Sequence, residues 1–182
     1  MRRLLLAVAA ALPLAGQTAG ICACDTDAAL MASARQCSLC RVAEQHHGAE
    51  GFFFLKDNNP RKPNRWLILP VSHRYDGHGV LRGMPQSERT RFWRAAIARA
   101  RELFGDDWGL AVNGDRVRTQ CHAHAHIGKF IKAAERDSGF VVIDGPEDIP
   151  EPADGSGFWI HPVDGKMHLH TGEQICETVL VR

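Results

Sequence analysis

The stretch RTQCHAHAHIGKF, residues 118–130, places three histidines at alternating positions, His122, His124 and His126. Side chains at alternating positions of a strand project from one face of a sheet, so the spacing predicts one strand with all three imidazoles on one face. The intervening alanines would point to the opposite face, where small apolar side chains let another layer pack closely. Surface histidines on an edge strand are the simpler alternative, but three in strict alternation make it the weaker one.

The beginning of the chain predicts export. The first twenty residues combine an arginine pair, an apolar run and small residues before a plausible cleavage point near Ala19. This is typical of a secretory signal peptide, and the apolar run is shorter than the roughly 20 residues that a membrane span needs. We expect a signal peptide over 1–20, an N-terminal segment over 21–36 and a single domain over 37–182, in a protein that is periplasmic or secreted.

Charges of both signs are interspersed along the chain, with 22 Lys and Arg against 21 Asp and Glu. A nucleic-acid partner would need a broad basic stripe, which the sequence does not have. The arginine-rich side of the segment after Pro85 is most simply a solvated surface, although contact with an anionic membrane surface is an alternative.

The other patterns predict an antiparallel sheet with packed helices, which is an α+β fold. Apolar runs typical of strands begin at Gly51, Trp66 and Trp108, and the first two predict an antiparallel pair. Between Pro85 and Gly105, apolar residues recur at helical spacing, which predicts an amphipathic helix.

The C-terminal part contains a hairpin signal, Asp164-Gly165 between two alternating runs. This hairpin adds three further histidines, His161, His168 and His170. We interpret them as exposed histidines of a hairpin in preference to a chemical role.

Three imidazoles on one face suit two chemistries. A neutral imidazole can attack phosphorus and leave a phosphoramidate that water then cleaves. Alternatively, histidines at i and i+2 of a strand can share a zinc ion with a third ligand. A metal site would usually have carboxylates that orient the rings, whereas the preceding residues here are Arg118, Thr119 and Gln120. Those residue types suit phosphate, so the sequence favours phosphoryl transfer.

The chain has six cysteines, and an exported protein meets an oxidising compartment, so we expect at least one disulfide. Spacing does not give the pairing. Cys37 and Cys40 form a C-x-x-C that could be oxidised or could bind zinc, and Cys176 has no neighbouring cysteine in sequence.

These motifs resemble a known family. His122-Ala-His124-Ala-His126-Ile-Gly resembles the H-φ-H-φ-H-φ-φ motif of the histidine triad (HIT) superfamily of nucleotide hydrolases and transferases. The segment KDNNPRKPNRWLILPVSH, 56–73, is similar to the family's strand, Asp-containing loop, strand and Pro-x-x-His, and AVNG at 111–114 fits the segment before the triad. Over roughly residues 37–129, the resemblance implies a HIT-like antiparallel sheet with packed helices.

The resemblance also implies roles for residues. His124 would be the nucleophile that attacks the α-phosphorus, with His122 and His126 orienting it and contacting phosphate, and no metal would be needed for catalysis. Arg65 stands where many members have a fourth histidine, so the network that supports the triad must differ. The substrate-binding residues that it implies are Asp57, Asn113, Arg118 and Gln120.

One branch of the superfamily, the exported CDP-diacylglycerol pyrophosphatases, is similar in its RTQ-x-H-x-H-x-H pattern and in a Cys176-Glu177 pair. It hydrolyses CDP-diacylglycerol to CMP and phosphatidate, which makes a nucleotide-lipid the first expected substrate. A dinucleoside polyphosphate or a nucleotide conjugate is the enzymatic alternative. Small HIT proteins often form homodimers, so a homodimer is a candidate state here.

The sequence allows two kinds of metal site. Several bacterial HIT proteins hold a structural zinc ion, and the resemblance implies the corresponding set here. A different class of function is an exported, non-catalytic metal-binding protein that uses the triad together with the three tail histidines. The four residues of the structural zinc set would be Cys37, Cys40, His73 and His122.

Overall fold

A computed structural model of the chain describes residues 22–46, 51–72, 81, 83–151 and 154–182. The described part contains an antiparallel seven-stranded sheet with a few helices, which confirms the predicted α+β class. None of the described helices has the length and apolar character needed to cross a membrane. The helices are α1 (Ala28–Ser33), α2 (Ser38–Glu44) and α3 (Gln86–Phe104), and the strands are β1 (Phe52–Lys56), β2 (Trp66–Pro70), β3 (Trp108–Val112), β4 (Ala125–Lys129), β5 (Phe140–Ile143), β6 (Gly157–Val163) and β7 (Lys166–Glu173).

The order of strands in the sheet is β1-β2-β4-β3-β6-β7-β5. The predicted pair β1 and β2 is antiparallel, with Phe54 opposite Ile68. The predicted hairpin joins β6 and β7 through Asp164 and Gly165, whose φ angles of +47° and +80° are both left-handed. A two-residue loop needs this conformation to match the twist of its strands, and for that reason Asp-Gly is a strong hairpin signal.

Helix α3 covers one face of the sheet. The predicted helix is confirmed, with Pro85 directly before it and Gly105, at a φ of +58°, ending it. Its buried side includes Phe92 and Trp93, which belong to the same core cluster as Ala125. The alanines between the triad histidines therefore do face a packed layer, as the alternation predicted.

The opposite face is covered in two parts. Helix α2 lies over β1 and β2, where Leu39 and Ala43 pack against apolar side chains of the two strands. The C-terminal segment lies over the centre of the sheet, where Val179 and Leu180 pack with Trp159 of β6. His126 lies between these two covers, since its partners are Leu67 on one side and Ala111 on the other.

Arg65, just before β2, holds the C-terminal segment in place. Its guanidinium is 1% exposed. It donates hydrogen bonds to the carbonyl oxygens of Glu177, Leu180 and Val181 at 2.6, 2.7 and 2.9 Å, and to Glu177 Oε2 at 3.1 Å. A buried cation is tolerated only when its donors are satisfied, and here backbone oxygens and one carboxylate satisfy them.

Two disulfides join the N-terminal segment to the domain, which confirms the expected oxidised cysteines. Cys22 is bonded to Cys121, and Cys24 to Cys37. The alternative in which Cys37 pairs with Cys40 is wrong, because the turn before α1 brings Cys24 against Cys37. Cys40 lies inside α2 as a buried free thiol, and Cys176 is also free.

The two disulfides should differ in their contribution to stability. The Cys22–Cys121 bond closes a separation of 99 residues and the Cys24–Cys37 bond one of 13. Loop-closure entropy assigns about 5 kcal/mol to the first and about 3 kcal/mol to the second. We therefore expect the double variant C22S/C121S to lose more free energy of unfolding in urea than C24S/C37S. An equal or larger loss in C24S/C37S would contradict this expectation.

Candidate functional site

The triad does not lie on one strand. Strand β4 begins at Ala125, so only His126 is in a strand, and His122 and His124 precede it. The prediction of a continuous strand is wrong because the preceding residue is held elsewhere: Cys121 is bonded to Cys22, and its amide donates to the Gln36 carbonyl at 2.9 Å. Because of these bonds, the chain before Ala125 lies outside the sheet, and pairing of β4 with its neighbours begins only at Ala125.

Hydrogen bonds fix the orientation of two of the rings. His122 Nε2 lies 2.7 Å from the carbonyl oxygen of Pro70, and His124 Nδ1 lies 2.9 Å from the carbonyl oxygen of His122. A carbonyl can only accept, so each of these ring nitrogens carries the proton in a neutral imidazole. His124 is thereby left with a lone pair on Nε2, the atom that could attack an electrophile.

His124 and His126 are neighbours, with ring centroids 5.0 Å apart in an edge-to-face arrangement. Burial lowers the pKa of both rings, to about 3 for His126, where the adjacent His124 lowers it further. For His124, the nearby Arg118 guanidinium adds to the effect of burial. Both imidazoles are therefore neutral at pH 7, as a nucleophilic histidine must be.

A carboxylate faces the triad, which the sequence analysis did not anticipate. Glu177 Oε2 lies 3.8 Å from His126 Nδ1, and it pairs with Lys62 and with Arg65. Burial alone would raise the pKa of Glu177, but His126, Lys62 and Arg65 lower it to about 2. The expectation that no carboxylate lies near the triad is therefore wrong. The carboxylate of Glu177 lies beside His126 although Glu177 comes 51 positions later in the chain.

Asn113 acts on the site through Glu177. Its side-chain oxygen accepts hydrogen bonds from the backbone amides of Cys176 and Glu177 at 2.9 and 3.0 Å. Asn113 directly follows β3, so these bonds fix the start of the C-terminal segment at the end of a central strand. Asn113 therefore positions Glu177, and the contact with substrate that the resemblance implies for it stays a prediction.

The other implied substrate residues have local contacts of their own. Asp57 accepts from the Asn59 amide at 2.9 Å and so begins the turn between β1 and β2. The Gln120 side chain accepts from Ser38 Oγ at 2.8 Å, which ties the chain before the triad to the start of α2. Arg118 is buried, 3.8 Å from Asp115.

A positively charged cleft lies near His126, although none of the three triad histidines lines it. Its volume is about 200 Å³. It shares Arg65 and Glu177 with the surroundings of His126, and its four cationic side chains outnumber its single carboxylate. Such a lining suits an anionic group such as a phosphate. The lining residues are Asn59, Arg61, Lys62, Arg65, Glu177, Thr178 and Arg182.

The structural zinc set is not formed by the described residues. Cys37 is held in a disulfide, and His122 Nε2 donates to Pro70. Burial raises the pKa of Cys40 to about 11, so its sulfur is a thiol at pH 7. The fourth member, His73, lies outside the described residues.

The tail histidines form a separate group with Glu135. The expectation that they are exposed is wrong for His161 and His170, which are buried because the Glu135 side chain and aromatic rings cover them. His126 and His170 lie three strands apart across β4, β3, β6 and β7, a spacing of about 14 Å. The triad and the tail histidines thus do not converge on one metal ion.

Similarity to known proteins does not assign the site. The chain matches no family model and no curated protein.

The low pKa of Glu177 predicts an acid-dependent loss of stability. A pKa lowered from 4.5 to about 2 means a stabilisation that is present above pH 4.5 and lost as the pH falls towards 2. Its upper bound is about 3 kcal/mol, and only the share from Lys62 and Arg65 acts at pH 7, where His126 is neutral. Relative to the wild type, Glu177→Gln should therefore lose less than about 3 kcal/mol of stability at pH 7, with the gap closing below about pH 3. Urea unfolding at several pH values measures this.

The matched control is Glu102→Gln, which removes an exposed carboxylate paired with Arg99. We expect it to cost less than about 1 kcal/mol at any pH. If the difference in free energy of unfolding between wild type and Glu177→Gln were the same at pH 7 and pH 3, the lowered pKa of Glu177 would be contradicted.

Proposed function

We propose that the protein is a hydrolase that cleaves a phosphoric anhydride bond next to a nucleoside through a covalent intermediate on His124. One observation carries the proposal: the neutral His124 ring is held by its Nδ1 proton to the His122 carbonyl, which leaves Nε2 free to attack. The resemblance of the triad stretch to the HIT motif points to the same atom.

In the first step, His124 Nε2 attacks the phosphorus, a P–N bond forms, and the P–O bond to the leaving phosphate breaks. The hydrogen bond from Nδ1 to the His122 carbonyl stabilises the positive charge that the ring gains. In the second step, water attacks the same phosphorus, the P–N bond breaks, and the neutral ring returns as the water proton leaves to solvent.

The neighbours of His124 suit this reaction. His126 packs edge to face against His124 and limits the rotation of its ring. The Glu177 carboxylate lies 3.8 Å from His126 Nδ1 and adds a negative charge next to this pair of rings. The cleft would bind the phosphate groups of the substrate, since Arg61, Lys62 and Arg182 line it in addition to Arg65. Positive side chains positioned before the reaction stabilise the charge that builds up on phosphate oxygens.

A nucleotide-lipid such as CDP-diacylglycerol is the first substrate we propose, with CMP and phosphatidate as products. The RTQ-x-H-x-H-x-H resemblance supports it, and the exposed arginines Arg91 and Arg94 of α3 could contact an anionic membrane surface. The two disulfides favour an oxidising compartment, in line with export. The predicted signal peptide itself lies outside the described residues.

The decisive experiment compares substrates and a nucleophile variant. The mature chain, with disulfides intact, is incubated separately with CDP-diacylglycerol and with diadenosine tetraphosphate, and released nucleotide is measured. We expect CMP from the lipid, and a loss of at least about 10³-fold in His124→Ala, the scale of removing a covalent nucleophile.

A matched control is His46→Ala, which removes an exposed histidine at the end of α2 that packs on Phe53. It should keep full activity. Cleavage of the dinucleotide alone would replace the lipid by a soluble substrate, and unchanged turnover in His124→Ala would overturn the mechanism.

The cleft predicts a separate effect on substrate binding. Arg61→Gln and Arg182→Gln should each raise KM about two- to fivefold, because each removes one partly exposed charge that would contact phosphate. The turnover number should change little, since neither residue contacts His124 in the structure. Steady-state kinetics measure both quantities. Arg94→Gln, on the exposed side of α3, is the control, and an equal rise of KM in that variant would contradict the role of the cleft.

A further inference from the structure

A second constellation of histidines lies on the same face of the sheet as His126. We propose that Glu135, His161, His168 and His170 bind one divalent transition-metal ion, Zn²⁺ or Cu²⁺, at a site independent of the triad. The proposal goes beyond the hydrolase activity and does not rest on it.

The four side chains converge on one point. Glu135 Oε2 lies 2.6 Å from His161 Nε2, and Glu135 Oε1 lies 3.4 Å from His170 Nε2 and 3.5 Å from His168 Nδ1. All four ligand atoms lie within 4.8 Å of one another. Bonds of about 2.0–2.1 Å to a tetrahedral zinc ion put its ligands about 3.3 Å apart, so small side-chain rotations would complete the site.

The strands themselves create the arrangement. His161 of β6 lies directly opposite His168 of β7, and His170 follows two residues later on the same face. Glu135 reaches the cluster from the connection between β4 and β5. A metal ion would therefore fasten that connection to the C-terminal hairpin.

Two of the imidazoles are buried, and the Nε2 atoms of both face Glu135. His161 and His170 are 2% and 1% exposed. His161 Nε2 contacts the Glu135 carboxylate at 2.6 Å, whereas both ring nitrogens of His170 have no hydrogen-bond partner among the described residues. Leaving such a nitrogen buried is costly, and coordination to a cation would satisfy it.

Aromatic side chains hold each ring in its plane. Phe130 stacks on His161 with centroids 4.0 Å apart, and Phe140 stacks on His168 at the same distance. Trp159 stacks on His170 at 3.5 Å and 5°. Rings whose orientation is fixed before binding lose little freedom when a metal binds.

The ligand types select the metal. Three imidazoles and one carboxylate suit zinc or copper, whereas calcium and magnesium prefer sites made of oxygen ligands. Arg136, which neighbours Glu135 in sequence, is paired with Glu173 at 3.0 Å, so its charge is partly neutralised.

The test uses the untagged mature chain with disulfides intact. After dialysis against chelator, Zn²⁺ and Cu²⁺ are titrated separately by calorimetry, and bound metal is measured by elemental analysis. We expect one equivalent of at least one of the two ions, and a higher melting temperature with that ion. Glu135→Gln should weaken binding at least about tenfold, because loss of even an outer-shell partner costs that much.

Two further variants decide where the metal binds. His170→Gln should lose the site as Glu135→Gln does, and the half-exposed Glu135 keeps the test valid if the buried His170 variant fails to fold. His124→Ala and His46→Gln should keep the full equivalent. Absence of both ions from the wild type, full binding by Glu135→Gln, or loss of binding in His124→Ala would overturn the proposal.

Discussion

The buried guanidinium of Arg65 is the contact on which the site depends. It binds three backbone carbonyls of the C-terminal segment and thereby fixes that segment across the centre of the sheet. The same guanidinium pairs with Glu177, so one side chain positions both the cover and the carboxylate that faces His126. Asn113 secures the start of the segment from the other side. The tail is held further by its packing on Trp159 and by backbone hydrogen bonds from Ile131 to Val179 and from Val181 to Lys129, both at 2.8 Å.

One face of the sheet carries His126 of the triad and the tail histidines. His126, Ala111, Trp159 and His170 are successive partners across four adjacent strands. The small Ala111 leaves room for the C-terminal segment, and the large Trp159 packs beneath it and stacks on His170. The two groups therefore share a rigid base but are kept apart by a tightly packed apolar layer. The proposed chemistry at one group and the proposed metal binding at the other can therefore be tested by separate substitutions.

Local patterns predicted much of the fold. Helix α3, the pair β1 and β2, and the turn at Asp164-Gly165 depend on spacing within a few residues, and the sequence indicated each of them. The start of β4 depends instead on a disulfide to Cys22, and the neighbours of His126 come from distant segments. A prediction from spacing could therefore find the triad but could not place Glu177 beside it. The burial of His161 likewise requires Glu135, which nothing in the hairpin's own sequence indicates.

The disulfide arrangement also constrains the order in which the chain can mature. Cys37, the partner of Cys24, is synthesised only 13 residues after it. Cys121, the partner of Cys22, is synthesised 99 residues after Cys22 and directly precedes His122. During that interval, Cys22 is an unpaired thiol close to Cys24, Cys37 and Cys40, and each of them is a possible wrong partner. Thiol exchange corrects such pairings slowly unless it is catalysed. The triad is therefore among the last parts of the molecule to reach its final position, and the yield of correctly paired protein should follow the supply of a disulfide isomerase.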